Sequence, residues 1–361
     1  MQRIILTGGG SAGHVTPNIA LIPELRREGW EVHYIGTKDG IERQLIEPLG
    51  VPYHVVAAGK LRRYFDLRNF ADPFNVLKGL FQAAGLIRRI KPAVIFAKGG
   101  FVSVPVVVGG WLNRAPVIIH ESDMSPGLAN RISLPFASRI CATFPETLKH
   151  LPAGKGVLTG SPIRREILNG DKARGLAFCG LTSSHPVILV IGGSLGAASI
   201  NRQVRAVLTR LLAGFQVAHI CGKGNLDPHL GNIPGYRQFE YVGKELPDLF
   251  AAADLVISRA GANTIFELLA LRKPNLLIPL PKGASRGDQI LNAQSFARQG
   301  FSKVLLEENM NDTTFLQEVK GLFDSRPGYV RAMENSRLKD GVGEVMKLLD
   351  PYGGGGKTPG R

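Results

Sequence analysis

The segment Arg3-Ile-Ile-Leu-Thr7, followed directly by Gly8-Gly-Gly-Ser-Ala-Gly13-His14, decides the fold of the first half of the chain. The apolar run predicts a strand, and the glycine-rich loop after it leads into the start of a helix. The same order recurs in the second half, where Val187-Ile-Leu-Val-Ile191 is followed by Gly192-Gly-Ser-Leu-Gly196. In such loops backbone N–H groups and a helix N-terminus can face a phosphate. The sequence therefore predicts two phosphate-binding loops.

Further short runs rich in Val and Ile alternate with helical patterns along both halves. We predict these as strands at residues 31–35, 93–97, 116–120, 138–142, 156–159, 216–221, 254–258 and 275–279. Strands that are apolar throughout are typical of parallel sheets covered by helices on both faces. Both halves are therefore predicted to be doubly wound, Rossmann-like α/β domains.

A Gly/Pro turn at Gly160-Ser-Pro-Ile163 marks the predicted boundary between the halves. The first domain would comprise residues 1–161, and the second residues 162–334. Residues 330–349 form an amphipathic pattern that predicts one helix. Residues 351–361 have no apolar content to bury, and we expect them to be a disordered tail.

The composition, with 44% hydrophobic and 20% charged residues, is that of a soluble globular protein. We expect neither a secretory signal nor a membrane span, and therefore a protein that stays in the cytoplasm. Cys141, Cys179 and Cys221 have no metal-ligand or redox spacing and are expected to be buried thiols. The net charge of +15 indicates an anionic partner: nucleic acid, an anionic membrane or a phosphorylated substrate.

The first loop has the spacing Gly8-x-Gly10-x-x-Gly13, which also occurs in dinucleotide-binding proteins. Those proteins need an acidic residue at the end of the second strand to bind the ribose. Here that strand ends with Tyr34-Ile-Gly36-Thr37, and Asp39 follows only after the turn. An NAD- or FAD-dependent oxidoreductase and a tight turn without a ligand remain as alternatives for this loop.

Two side chains beside the predicted loops are candidates for chemistry. His14 follows the first loop, and because imidazole ionises near neutral pH it can accept a proton. Its alternative role is packing or capping. Glu267 is expected one turn inside a helix after Ser258-Arg259-Ala-Gly261, where it can accept hydrogen bonds from ribose hydroxyls. Its alternative role is a capping-box partner of Thr264.

Taken together, these motifs resemble the MurG family of glycosyltransferases. This family transfers N-acetylglucosamine from UDP-N-acetylglucosamine to undecaprenyl-diphosphate-linked muramyl pentapeptide. The motifs that carry the resemblance occur in family order: Gly8-Gly-Gly-Ser-Ala-Gly-His14-Val-Thr-Pro17, Lys98-Gly-Gly-Phe101, Val104-Pro105, His120-Glu121, Pro126-Gly-Leu-Ala-Asn130, Gly160-Ser-Pro-Ile-Arg164, Gly192-Gly-Ser-Leu-Gly-Ala197, Ser258-Arg-Ala-Gly261, Glu267, Gln289 and Asn292-Ala293.

The resemblance implies a GT-B fold, in which two Rossmann-like domains face a central cleft and the last helix returns to the first domain. Residues 335–350 would then belong to that domain. It also implies an inverting transfer to the C4 hydroxyl of the muramyl sugar of lipid I, which gives lipid II for peptidoglycan synthesis and so serves cell shape and division. No cofactor or metal is implied. A GT-B enzyme with another nucleotide sugar or lipid acceptor, such as a diacylglycerol glycosyltransferase, is the alternative.

The resemblance further assigns roles to individual residues. The catalytic base would be His14 or Glu121. The donor would contact Ser11, Ala12, Gly13, His14, Asp123, Arg164, Ser194, Val242, Arg259, Glu267 and Gln289. The acceptor-side loop would comprise Gly8, Gly9, Gly10, Gly13, Lys98, Gly99 and Gly100. The chain departs from many relatives at Ser122-Asp123 and at Asp288.

Residues 60–91 carry eight basic and two acidic residues interspersed with aromatic side chains. This mixture is typical of a surface that docks on an anionic membrane leaflet. The predicted docking residues are Arg62, Arg63, Phe70, Phe74, Leu77, Lys78 and Phe81. The alternatives are a helix whose apolar face lies in the core and a nucleic-acid-binding surface, for which no known motif is present. We therefore expect a peripheral protein on the cytoplasmic face of the plasma (inner) membrane.

Overall fold

A computed structural model describes residues 2–59, 72–193, 196–231, 233–283, 287–336, 338 and 340–353. The chain divides into two compact units. The first comprises Met1–Arg164 and Asp340–Arg361, and the second comprises Arg165–Lys339. The chain therefore passes into the second unit between residues 164 and 165 and returns to the first between residues 339 and 340. The boundary predicted from the Gly/Pro turn lies after residue 161.

The first unit contains a parallel sheet of seven strands among the described residues. The strands are β1 (Arg3–Thr7), β2 (Glu31–Gly36), β3 (Tyr53–Val55), β4 (Val94–Ala97), β5 (Val117–Glu121), β6 (Arg139–Ala142) and β7 (Gly156–Leu158). Their order in the sheet is β3-β2-β1-β4-β5-β6-β7. The register places Ile4 opposite both Val32 and Val94. The helices are α1 (Ala12–Arg27), α2 (Ile41–Ile46), α3 (Asp72–Ile90), α4 (Ser103–Leu112) and α5 (Leu128–Ser133).

Both faces of this sheet are buried, which explains why its strands are apolar throughout. Ile4 and Phe96 pack with Leu21 of α1 on one face. Ile5 and Ile95 pack on the other face, in the cluster that holds buried residues of α3 and α4. The alternation of side chains along a strand sends neighbouring residues to opposite faces. Every central position therefore needs an apolar residue.

The second unit is built in the same way. Its strands are β8 (Val187–Ile191), β9 (Gln216–Ile220), β10 (Tyr236–Phe239), β11 (Leu255–Ser258), β12 (Asn275–Leu277) and β13 (Lys303–Val304), in the order β10-β9-β8-β11-β12-β13. Its helices are α6 (Lys172–Cys179), α7 (Ala198–Ala206), α8 (Leu208–Leu212), α9 (Leu246–Ala252), α10 (Ala262–Ala270), α11 (Asp288–Arg298) and α12 (Asp312–Glu334). The prediction of two doubly wound parallel sheets is confirmed.

The last helix of the chain packs in the first unit. The prediction of one helix over residues 330–349 is wrong, because α12 ends at Glu334 and a separate helix, α13, covers Gly341–Leu349. Asp340 begins α13 by accepting a hydrogen bond from the N–H of Gly343 at 3.0 Å. Its apolar residues Val342, Val345, Met346 and Leu349 are buried in the core around β1 and α1. The return of the last helix to the first unit is thus confirmed.

The predicted tail begins too early. Residues Asp350–Tyr352 form a 3-10 helix, and Tyr352 packs against the core of the first unit. Residues 354–361 lie outside the described part of the chain. Among the described residues, no helix is long and apolar enough to cross a membrane.

The three cysteines are buried free thiols, as predicted. Burial raises the pKa of the Cys141 thiol to about 12 and that of Cys179 to about 11. Thiols with such pKa values stay protonated near neutral pH and are poor nucleophiles.

Candidate functional site

The candidate site of the first unit lies at the carboxyl ends of its central strands. In a doubly wound sheet, ligands bind where the strand order reverses, which is between β1 and β4 here. The first glycine loop follows β1, and Lys98, Gly99 and Gly100 follow β4. The N–H of Gly9 donates to the carbonyl of Gly99 at 3.4 Å. The two loops are therefore in contact at the switch point.

Glycine is required where these loops meet. Gly100 has a φ of +81°, and a Cβ atom there would lie 2.2 Å from the carbonyl oxygen of Gly9. Two buried hydrogen bonds fix the start of the first loop. The Tyr34 hydroxyl donates to the carbonyl of Gly8 at 2.6 Å, and Asn18 Nδ2 donates to the carbonyl of Thr7 at 3.1 Å. The loop conformation thus depends on buried polar contacts from β2 and α1.

Glu42, in α2, is a residue of this site that the sequence analysis missed. Its side chain is buried, and Oε2 accepts a hydrogen bond from the N–H of Gly10 at 3.1 Å. Oε1 accepts from the N–H of Thr37 at 3.0 Å and from its hydroxyl at 2.6 Å. A Cβ atom at Gly9 or Gly40 would collide with this carboxylate. Glu42 therefore ties the glycine loop to the end of β2.

Replacing Glu42 by Ala is expected to destabilise the protein by about 1–3 kcal/mol, because buried N–H and hydroxyl donors lose their acceptor. The unfolding midpoint in urea measures the effect. Glu47→Ala is the matched control, since Glu47 is half-exposed and pairs with Arg43 on the surface, at 2.7 Å. Surface pairs of this kind contribute about 0–1 kcal/mol. Equal urea midpoints for the two variants would contradict a loop-holding role of Glu42.

His14 lies in the first turn of α1 and is half-buried. Its Nδ1 is 3.0 Å from the carbonyl oxygen of Gly9 and 3.2 Å from Ser11 Oγ. Because a carbonyl oxygen only accepts, Nδ1 carries the proton and the neutral ring has its lone pair on Nε2. Ser11, Ala12 and Gly13 are exposed beside it, and the first turn of α1 has no acidic residue. The loop therefore orients an imidazole in the tautomer that a base requires.

Lys98 and His120 lie side by side at the carboxyl ends of β4 and β5. Lys98 is only 1% exposed, and its Nζ donates a hydrogen bond to the hydroxyl of Ser122. Burial lowers the pKa of Lys98 to about 8, although the charges of Glu121 and Asp123 act in the opposite direction. Burial, together with the charge of Lys98, lowers the pKa of His120 well below its ordinary value. His120 is thus neutral, with Nε2 3.0 Å from the carbonyl oxygen of Gly160.

Glu121 is the last residue of β5 and is almost completely buried. Its carboxylate accepts hydrogen bonds from the N–H groups of Asp123 (2.9 Å) and Gly127 (3.1 Å) and from Nδ2 of Asn130 (2.8 Å). Burial raises the pKa of Glu121, and these hydrogen bonds oppose the shift. Since both oxygens already accept hydrogen bonds, Glu121 shapes the turn over residues 122–127.

The corresponding edge of the second unit is held together by Arg259. The guanidinium follows β11 and pairs with Glu307 at 2.5 Å. It also donates to the carbonyl of Ile278 at 3.0 Å, after β12, and to Ser199 Oγ at 2.9 Å, in the first turn of α7. One side chain thus connects the loops after β8, β11 and β12. The second glycine loop approaches β9 closely, because a Cβ at Gly196 would lie 2.0 Å from the carbonyl oxygen of Cys221.

The remaining predicted residues of the second unit lie on this edge or beside it. Glu267 is half-buried on α10, whose N-cap is Gly261 with no side-chain cap. The helix begins before Thr264, so the capping-box alternative for Glu267 is wrong. Gln289, on α11, accepts a hydrogen bond from the N–H of Leu280 at 3.1 Å. Val242 is buried and follows β10.

Several predicted residues fall outside the described part of the chain. These are Ser194 in the second glycine loop and Arg62, Arg63 and Phe70 in the basic segment. Phe74 lies in α3, but only its backbone is described. Among the described residues, no group of three or more His, Cys, Asp or Glu side chains is arranged to hold a metal ion.

Comparison with known proteins identifies the family. Residues 4–142 match the glycosyltransferase family 28 N-terminal domain, and residues 187–347 match its C-terminal domain. A relative from Lachnoclostridium phytofermentans is 58% identical over 97% of this chain and 99% of its own length. It is named UDP-N-acetylglucosamine--N-acetylmuramyl-(pentapeptide) pyrophosphoryl-undecaprenol N-acetylglucosamine transferase. The chain belongs to the MurG family of glycosyltransferases.

Other comparisons agree with membership of the MurG family. A relative of the same name from Clostridium tetani is 55% identical over 97% of this chain and 98% of its own length. The crystal structure of Acinetobacter baumannii MurG superposes with a TM-score of 0.76 at 24% identity, covering 97% of this chain and 99% of that one. That likeness shows the fold, which is the GT-B fold.

Proposed function

We propose that this chain transfers N-acetylglucosamine from UDP-N-acetylglucosamine to the C4 hydroxyl of the muramyl sugar in undecaprenyl-diphosphate-linked muramyl pentapeptide. The product is the β-1,4-linked disaccharide lipid used for peptidoglycan, and the anomeric carbon is inverted. The observation that carries the proposal is the full-length similarity to relatives that are named for this transfer.

In the proposed reaction, the acceptor hydroxyl attacks the anomeric carbon while UDP leaves with the electrons of the broken bond. His14 takes the proton of the hydroxyl on Nε2. The tautomer set by the carbonyl of Gly9 supports this role. The three hydrogen bonds to the carboxylate of Glu121 favour a structural role for that residue, so that His14 is the proposed base.

The leaving diphosphate is proposed to bind the second glycine loop, through Ser194 and neighbouring amides, and the N-terminus of α7. Amides and helix dipoles that are fixed before the reaction stabilise a developing charge without reorganisation. Val242 is proposed to meet uracil through its backbone, Glu267 the ribose and Gln289 the sugar hydroxyls. The ion pair and the carbonyl contacts of Arg259 suit it to holding these loops in place for the donor.

On the first unit, Ser11, Ala12, Gly13, Asp123 and Arg164 are proposed to contact the donor. The acceptor diphosphate is proposed to bind the loops of Gly8, Gly9, Gly10 and Gly13 and of Lys98, Gly99 and Gly100. The N–H groups of Gly9 and Gly10 already donate to Gly99 and Glu42. The first turn of α1, which is exposed at Ser11, Ala12 and Gly13 and has no acidic residue, favours an anionic ligand there.

The function is tested by incubating the protein with UDP-N-acetylglucosamine and a short-chain analogue of the diphospholipid acceptor and measuring UDP release. We expect turnover that requires both substrates. Turnover with UDP-glucose or another lipid acceptor, and none with this pair, would support a different GT-B transferase. A thermal shift caused by NAD and not by UDP would support an oxidoreductase.

We further propose that the first unit docks on an anionic membrane, at the cytoplasmic face of the plasma (inner) membrane. Leu77 and Phe81 on α3 are 52% and 70% exposed, and Lys78 is exposed between them. Trp111 on α4, which the sequence analysis missed, is 54% exposed, and α4 packs on α3. Exposed aromatic and basic side chains on adjacent helices are typical of interfacial binding.

The opposite face of α3 lies in the core, because Ala83 and Ile87 are buried. This helix therefore packs one apolar face in the core of the first unit and exposes further apolar residues to solvent. The alternative that its apolar residues only fill the core does not explain Leu77 and Phe81.

The double variant Phe81→Ser/Trp111→Ser is expected to bind anionic vesicles at least about tenfold more weakly, since inserting each side chain gains roughly 1–3 kcal/mol. Its melting temperature should fall by no more than a few degrees, because Phe81 is mostly exposed and Trp111, whose ring contacts Phe136, is about half exposed in the folded state. Vesicle sedimentation at moderate salt measures the binding. Leu226→Ser, at an exposed residue of the second unit, is the control. An equal loss of vesicle binding in the double variant and in Leu226→Ser would contradict docking through α3 and α4.

A further inference from the structure

Lys98 is a buried lysine, and its presence is not explained by a contribution to the stability of the fold. Its backbone continues β4, since its N–H donates to the carbonyl of Thr7 at 2.9 Å, and its side chain lies inside the first unit. An ammonium group has three donors, and Nζ gives one to the neutral hydroxyl of Ser122. Among the described residues, no carboxylate forms an ion pair with it. Burying a charge in this way is costly.

The titration of Lys98 gives the sign of its effect on folding. Burial lowers its pKa from the ordinary 10.5 to about 8. Folding therefore favours the neutral amine, and the protonated side chain destabilises the fold below about pH 8. This loss of stability diminishes as the pH rises from 8 towards 10.5, where the unfolded chain also loses the proton. An apolar side chain of similar length would be more favourable near neutral pH.

The position of Lys98 supplies a different reason for a charge. On one side, it begins the loop of Gly99 and Gly100, which contacts the first glycine loop. On the other side, Nζ donates a hydrogen bond to Ser122, which lies between Glu121 and Asp123 in the turn that Glu121 organises. The neutral amine can keep this hydrogen bond, but only the ammonium is attracted by the charges of Glu121 and Asp123. The carbonyl of Asp123 is held in turn by the hydroxyl of Thr147 at 3.1 Å. Lys98 thus connects the loop after β4 with the turn after β5.

We propose that Lys98 is a positioning residue for the transfer: its protonated side chain fixes the Ser122-Asp123 turn against the loop after β4, and activity falls when the proton is lost. The titratable groups that face it are Glu121 and Asp123, the neutral His120 of β5 and the protonated thiol of Cys141 on β6. This inference rests on the proposed function for its kinetic consequences.

The kinetic test compares the wild type with Lys98→Met and Lys98→Arg between pH 6 and pH 10. In the wild type, kcat is expected to fall about tenfold per pH unit above pH 8, as for the loss of one essential proton. Lys98→Met should have a kcat at least about tenfold lower at pH 7 and no such fall in kcat above pH 8. Its KM for UDP-N-acetylglucosamine should rise, because Asp123 of the same turn is proposed to contact the donor. Lys98→Arg should have part of the wild-type kcat and no fall in kcat above pH 8, because arginine stays protonated.

A structural readout keeps the inference independent of activity. The amides of Asp123 and Gly127, which donate to Glu121, should exchange hydrogen at least about tenfold faster in Lys98→Met than in the wild type at pH 7. The melting temperature of Lys98→Met should be equal or higher, since a costly buried charge is removed.

The outcomes separate the two proposals. Any of three results for Lys98→Met would overturn the role of Lys98: a wild-type kcat, a fall in kcat above pH 8 like that of the wild type, or unchanged hydrogen exchange at Asp123 and Gly127. A wild-type protein that releases no UDP would overturn the proposed function, and hydrogen exchange would still decide whether Lys98 holds the turn.

Discussion

His14→Ala is expected to lower kcat by about 10²–10⁴-fold, the usual contribution of a general base. The Nδ1 proton is held by the carbonyl of Gly9, so that Nε2 is the nitrogen able to take the proton of the acceptor hydroxyl. The KM for UDP-N-acetylglucosamine should change by less than about threefold, because a base that acts only in the transition state contributes little to ground-state binding. Steady-state UDP release at saturating acceptor measures both constants.

His150→Ala is the matched control for this variant. His150 is an exposed histidine of the same unit, at the end of a 3-10 helix, and its removal should leave kcat unchanged. Added imidazole should restore part of the activity of His14→Ala and none of that of the control. If His14→Ala kept wild-type kcat, the base would have to be another group, and Glu121 would be the next residue to test.

Glu267→Ala should raise the KM for UDP-N-acetylglucosamine by about 10–100-fold, the equivalent of losing a hydrogen bond to a charged acceptor worth roughly 1.5–3 kcal/mol. The carboxylate lies on α10, and because Gly261 caps that helix, Glu267 is not needed as a capping partner. At saturating donor, kcat should stay within about threefold of the wild type. Initial rates over a range of donor concentrations measure the effect.

A donor that lacks the 2′-hydroxyl makes this prediction specific to the ribose. The wild type should bind the deoxy donor more weakly than UDP-N-acetylglucosamine. Glu267→Ala should bind the two donors with nearly equal affinity, since the substitution and the missing hydroxyl remove the same interaction. Glu308→Ala, at an exposed residue of the second unit, should behave as the wild type with both donors. Additive losses in Glu267→Ala with the deoxy donor would show that Glu267 does not bind the ribose.

The strands of both sheet centres were predictable because burial on two faces requires continuous apolar runs. β1 and β8 have the bounds that the sequence predicts, β4 and β11 differ by one residue at one end, and β5 is shifted by one residue. The strands that were missed, β3, β10 and β13, are all edge strands. One side of an edge strand lacks a neighbour, and sequences such as Tyr236-Arg-Gln-Phe239 are only partly buried. These three edge strands therefore lack the pattern that identifies the central ones, whereas the fourth edge strand, β7, was predicted at residues 156–159.

The division of the predicted last helix shows a limit of periodicity. Amphipathic spacing continues through residues 330–349. It does not indicate whether a given helical turn packs in the core of the first unit or in that of the second. The structure places α12 in the second unit and α13 in the first, where Val345 and Leu349 are fully buried. Only packing against α1 and β1 makes the last turns a separate helix.

The residues that bear on chemistry were found in part from sequence because glycine loops and their neighbours form short motifs. Glu42 was missed because its hydrogen-bond partner Gly10 lies 32 residues away, and a lone glutamate in a short helix has no motif. Trp111 was missed because nothing local distinguishes an exposed tryptophan from a buried one. In both cases the contacts or exposure arise only after the strands are assembled.

The sequence by itself determined the two doubly wound sheets, the two glycine loops and the membership of the MurG family, because strand patterns and loop motifs are local properties of the chain. The tertiary structure decided which polar side chains serve the protein's own backbone. Glu121 binds amides of its turn, Arg259 connects three loops, and Lys98 reaches Ser122 on the next strand. Those hydrogen bonds join atoms that only parallel pairing and burial bring together.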